Sequence, residues 1–128
     1  MRGVLPHIKT AGVAGVILLL SLGDPGTAAR PVYNLIPHAD KLFHVIMYFS
    51  LTVVVLVQYR HLTVKTATVV LMVMGAFAYG VIIEFLQRWL TSGRSFELAD
   101  ILFNLAGIIS ATILFFLFRK RRAPRPER

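Results

Sequence analysis

The chain has 128 residues, 56% of them apolar and 16% charged, with no cysteine and a mean hydropathy of +0.70. A soluble domain carries about 25% charge, and a chain of this length cannot hide so much apolar surface from water, so the composition is matched to lipid. Disorder, collagen-like repeats, a disulfide scaffold, thiolate metal sites and thiol catalysis are excluded. The formal charge of +8 raises nucleic acid as a partner, a question that the placement of the charges decides.

The first apolar run, Ala11 to Gly23, follows Met1, Arg2, His7 and Lys9 and predicts a helix over about 9–23. A basic start, a short apolar stretch and the small residues Gly26-Thr27-Ala28-Ala29 also describe a cleaved signal; a retained helix is the preferred reading. The loop from Asp24 to Ala39 holds Pro25, Gly26, Pro31 and Pro37 and is long enough to fold over one end of a bundle. A second run, Leu42 to Val57, predicts a helix over 40–58, with Pro37 before it and Asp40 as N-cap or first-turn residue. The third, Ala67 to Leu86, is broken by Glu84 and predicts a helix over 64–88 opened by Thr63 or Thr66. Ser92-Gly93-Arg94-Ser95 is a turn, after which Ser95 as N-cap and Glu97 at N2 open a fourth helix over 97–118, whose apolar run is broken at Asn104.

Crossing about 30 Å of hydrocarbon takes roughly 20 residues of helix. Lipid offers the backbone no hydrogen bonds, so the runs must be helical despite their β-branched residues. The expected fold is all-α: a polytopic membrane protein, a four-helix transmembrane bundle (three helices if the first is a cleaved signal). It forms one domain over 1–118, with a basic, disordered tail over 119–128.

Charge bias orients this bundle. One side holds ten bases (Arg2, Lys9, Arg60, Lys65, Arg119, Lys120, Arg121, Arg122, Arg125 and Arg128) against the single acid Glu127. The other holds Arg30, Lys41, Arg88 and Arg94 against Asp24, Asp40, Glu84, Glu97 and Asp100. Both termini are therefore expected in the cytoplasm. The run Arg119-Lys120-Arg121-Arg122 directly follows the last span, where it anchors the helix against anionic lipid, and no nucleic-acid partner is expected.

The functional signal is the placement of ionisable groups. Asp40, His44 and Tyr48 recur every four residues and share one helix face. The third helix ends Glu84-x-x-Gln87-Arg88, with Gly80 and Ala76 continuing that face inward; the fourth opens with Glu97, Asp100 and Asn104, followed by Gly107 and Ala111. Small-residue stripes of this kind permit close helix contact. Ionisable groups one to two turns inside a span are costly unless paired or hydrated and face the bundle interior, so three helices placing such groups at one level predict one shared site. Blander roles stand beside this one: Asp40 a plain N-cap, Lys41 a snorkelling lysine, Glu97 a solvated first-turn acid, Arg88 with Trp89 an interfacial anchor, Tyr48 and Tyr79 packing residues. The whole cluster can also be read as glue between helices.

These residues carry a resemblance. Asp40-Lys41-x-x-His44-x-x-x-Tyr48, Tyr79-Gly80-x-x-x-Glu84-x-x-Gln87, Gly93-Arg94-Ser95 and Asp100-x-x-x-Asn104-x-x-Gly107 follow one another in the order and spacing of the VanZ-like family of small bacterial membrane proteins, over about residues 37 to 115. The resemblance implies a multi-pass protein of the bacterial cytoplasmic (inner) membrane and cell envelope, with a link to glycopeptide (teicoplanin-type) antibiotic resistance. It supplies no reaction.

Three functions follow as expectations. The first is a binding site for an envelope lipid, cell-wall precursor, glycopeptide or related anionic ligand, formed by Asp40, Lys41, His44, Glu84, Gln87, Arg94, Asp100 and Asn104; Arg94 and Lys41 hold the anion and the acids orient them. The second is an enzyme acting on an envelope lipid or its head group, with His44, Glu84 and Asp100 as catalytic candidates and Arg94 stabilising negative charge. No metal or cofactor is committed to, although a divalent ion on His44, Glu84 and Asp100 is a variant of this second reading. The third is a structural or scaffold subunit. Membrane lipids are the expected partners in every case.

Overall fold

In a computed structural model of the chain, residues 5–23, 35–59, 64–91 and 96–119 are described. They form four helices: α1 Leu5–Leu22, α2 Ala39–Gln58, α3 Thr66–Leu90 and α4 Leu98–Phe118, with no strand among the described residues. The last three are long and apolar enough to cross a membrane; α1 is a shorter apolar helix beside them. Of the four spans that the sequence predicts, three thus meet that length.

Neighbouring helices run in opposite directions, as three contacts between their ends require. Gln58 at the end of α2 bonds Thr10 near the start of α1, Nε2 to Oγ1 at 2.7 Å. Gln87 at the end of α3 bonds the Ser21 carbonyl at the end of α1, at 2.9 Å. Arg119 after α4 donates to the Val64 carbonyl before α3, at 2.7 Å. Large apolar side chains cover the outside, Leu71 and Leu117 among them, as lipid-facing surface requires.

Between lipid-bathed helices there is no hydrophobic drive to associate, and close van der Waals packing has to hold them. The most extensive contact is between α2 and α4, and Gly107 is its reason: a Cβ there would collide with the Val45 carbonyl oxygen and come within 2.9 Å of the Phe49 nitrogen. The two backbones touch. Gly80 on α3 plays a similar part, since its Cβ would meet the Tyr48 ring at 3.0 Å and Asn104 Nδ2 at 3.3 Å. Around these approaches Ile17, Tyr48, Leu51, Ala76 and Ile108 form the buried core.

Helix starts differ from expectation in detail. The N-cap of α2 is His38, held in the left-handed region at φ 61°, with Asp40 in the first turn. Lys65 caps α3, so Thr66 is its first residue, while Thr63 lies outside the described residues. In α4 the N-cap is Glu97, with no side-chain cap bond, and not Ser95, which also lies outside them. Glu97 is turned toward Lys41 of α2, with which it forms an ion pair at 3.2 Å. The signal-like segment 26–29 and the tail 120–128 are outside the described residues too.

Candidate functional site

The start of α2, the end of α3 and the start of α4 lie at the same end of the bundle, with the end of α1 alongside. His44, Glu84 and Asn104 each stand five or six residues inside their helix, about 8–9 Å at 1.5 Å per residue. All three are buried, at 8%, 2% and 1% exposure. The helix rotations bring them together. His44 Nδ1 is 2.8 Å from Asn104 Oδ1 and 3.6 Å from Glu84 Oε1, and His44 Nε2 is 3.8 Å from Asp100 Oδ2. One donor atom from each of His44, Glu84 and Asp100 lies within 4.8 Å of the others.

Asp100, partly exposed, links this buried group to a second layer nearer the helix ends. Its other oxygen, Oδ1, is 3.7 Å from Lys41 Nζ, which also reaches Glu97 Oε2 at 3.2 Å and Asp40 Oδ2 at 3.3 Å. Three carboxylates from two helices thus surround one ammonium. Asp40 and Glu97 are about half exposed, so their pairs are screened, while the Asp100 contact is more enclosed.

Beneath His44, one turn along α2, the Tyr48 side chain is fully buried. Its hydroxyl and Asn104 Nδ2 have no hydrogen-bond partner among the described residues, and both side chains border Gly80. Two hydrogen-bond donors thus stand unused beside a histidine and a carboxylate in a membrane interior, where an unmet polar group is expensive.

The structure brings together Asp40, Lys41, His44, Glu84, Asp100 and Asn104 of the candidates named from the sequence. Asp40 does not share the interior with His44 despite the common face; it turns to Lys41 at the mouth. Gln87 is buried at the same level, but its amide donates to the Ser21 carbonyl, a tie between α3 and α1. Arg94, with Gly93, lies outside the described residues. Glu97, read as a solvated acid, is a member of the Lys41 cluster. Ser21 was missed: it takes part through a backbone carbonyl, which no residue type announces. Tyr79 packs near Tyr48 and donates to the Ala14 carbonyl at 2.6 Å.

Comparison with known proteins agrees with the pattern of these residues. An uncharacterized protein of the fission yeast Schizosaccharomyces pombe is 33% identical over 114 residues, which cover 89% of this chain and 67% of the relative. No solved structure matches the chain. A relative in a eukaryote means that neither a bacterial inner-membrane address nor the orientation of the termini follows from kinship. The match to a family profile is broader than the motif resemblance and takes in most of α1. The chain belongs to the VanZ/LLP1 family, whose profile matches residues 8–119.

Proposed function

We propose that this end of the bundle is a membrane-embedded site for the anionic, phosphate-bearing head group of an envelope lipid or lipid-linked cell-wall precursor, with His44 as its central polar group. The observation that carries this reading is the setting of His44. One ring nitrogen is fixed by buried Asn104, and the other faces Asp100, which stands between the interior and the half-exposed mouth. A side chain that meets a ligand needs that combination of a fixed orientation and one ring nitrogen left to face it. Lys41, and in the sequence Arg94, are the bases suited to meet an arriving anion. The charge bias of the loops supports a site on the outer face with both termini inside, and a change in surface precursors is the route by which it would bear on glycopeptide resistance.

The test is a lipid profile. Cells producing the wild type, His44→Gln, Glu84→Gln or Arg94→Ala at matched abundance are extracted, and their phospholipids and polyprenyl-linked species compared with cells lacking the protein. The wild type is expected to shift at least one phosphate-bearing species, and the variants to lose the shift. A wild-type profile in all three variants rejects the reading.

A further inference from the structure

We infer that His44, Glu84 and Asp100 form a divalent-cation site of mixed nitrogen and oxygen donors, suited to Mn2+ or Zn2+. The inference deepens the proposed function by naming what neutralises the site, and its geometric basis is independent of any lipid. An amide oxygen only accepts hydrogen bonds, so the 2.8 Å contact with Asn104 Oδ1 puts the ring proton on His44 Nδ1. In the neutral ring Nε2 then presents a lone pair to Asp100 Oδ2 at 3.8 Å. Two electron pairs facing each other in this largely enclosed site repel unless positive charge sits between them. The polarity of the ring matches that of a metal-bound histidine, which almost always donates its second N–H to an oxygen and so has its free nitrogen aimed at the ion.

The donor set agrees. Donor atoms within 4.8 Å of one another enclose a space that an ion would tighten, since ligands about 2.1 Å from Zn2+ lie roughly 3–3.5 Å apart. One imidazole with two carboxylates favours Mn2+ or Zn2+ over the all-oxygen shells of Ca2+ and Mg2+. An independent observation points to the ligand the ion would carry. Tyr48 Oη and Asn104 Nδ2, in side chains 0% and 1% exposed, are donors with no acceptor among the described residues. An oxygen held by the ion, from water or a phosphate, is the kind of acceptor they lack. Asn104 would thus act twice, its oxygen orienting His44 and its nitrogen meeting the bound oxygen.

The experiment is Mn2+ titration of purified full-length protein in detergent, followed by electron paramagnetic resonance, with Zn2+ as competitor. One Mn2+ per chain with 14N coupling is expected. His44→Gln should abolish the coupling, which separates this site from His7, His38 and His61, and Asp100→Asn should weaken binding at least about tenfold. Circular dichroism shows which variants remain helical, and 15N shifts of His44 in the metal-free wild type report its protonation without any substitution. No stoichiometric Mn2+ or Zn2+ binding, nitrogen coupling that survives His44→Gln in a helical protein, or a stable imidazolium at neutral pH with no response to metal would each overturn the inference. Metal binding with an unchanged lipid profile would uphold this inference and reject the head-group reading; a His44-dependent lipid shift without metal binding would do the reverse.

Discussion

The two ends of the bundle solve the same problem in opposite ways. At the end formed by Thr10, Gln58, Val64 and Arg119, polar side chains reach across helices with a donor set against an acceptor, amide N–H to hydroxyl and guanidinium to carbonyl, although Gln58 Oε1 has no partner among the described residues. At the other end the neutral His44 ring sets Nε2 against Asp100 Oδ2, acceptor against acceptor, while Tyr48 Oη and Asn104 Nδ2 are donors with no acceptor among the described residues. The first pattern is what holding helices together requires. Interhelical bonds of that kind contribute about 0.6 kcal/mol on average in a membrane. The second pattern costs stability unless a charge or a ligand offsets it, which is the setting that the proposed site requires.

The largest expected effect comes from destroying what both ends share. Gly107→Leu puts a side chain into the backbone of α2 at Val45 and Phe49, and overpacking of this sort costs about 3 kcal/mol or more. Size-exclusion profiles in detergent should show loss of the monodisperse species, with both ends lost together. A monodisperse Gly107→Leu protein would mean that α2 and α4 do not touch as described.

Next in size, His44→Gln separates the ends. Loss of the side chain that meets the ligand should lower the effect on lipids at least about tenfold, while removal of the hydrogen bond to Asn104 costs only about 1 kcal/mol. Lipid analysis beside thermal melting reads both numbers. An equal collapse of stability and activity would make this end structural after all.

Much of this was legible in the sequence, and the reasons are specific. Apolar runs near 20 residues between Pro, Gly and charged breakers leave helix as the one backbone that lipid tolerates. Glu84, His44 and Asn104 interrupt three such runs at one depth, which made a shared site readable before any contact was known. The pairing was not readable. Whether His44 meets Asn104, Glu84 or Asp40 depends on helix rotation, which Gly107 and Gly80 settle through contacts between segments distant in sequence. The Ser21 carbonyl carried no signal, since every residue has one, and Glu97, the N-cap of α4, pairs with Lys41 of a distant segment.

Smaller effects test the structural end. Gln58→Ala removes the tie to Thr10 and should cost about 0.6–1.7 kcal/mol by thermal melting, with lipid profile and Mn2+ affinity unchanged. Arg119→Ala loses a bond to the Val64 carbonyl and a place over the Phe115 ring at 6.0 Å; partly exposed, it should cost about 0.5 kcal/mol. A loss of lipid or metal response in either variant would erase the distinction between the ends.

The sharpest single measurement pairs melting with lipid analysis in Asp100→Asn. An amide at this position can donate to the open ring nitrogen of His44, turning repulsion into a hydrogen bond. The metal-free variant should therefore be at least as stable as the wild type while its effect on the lipid profile is lost. A variant that melts well below the metal-free wild type yet preserves the lipid shift would contradict the account, and show Asp100 to be a brace between helices.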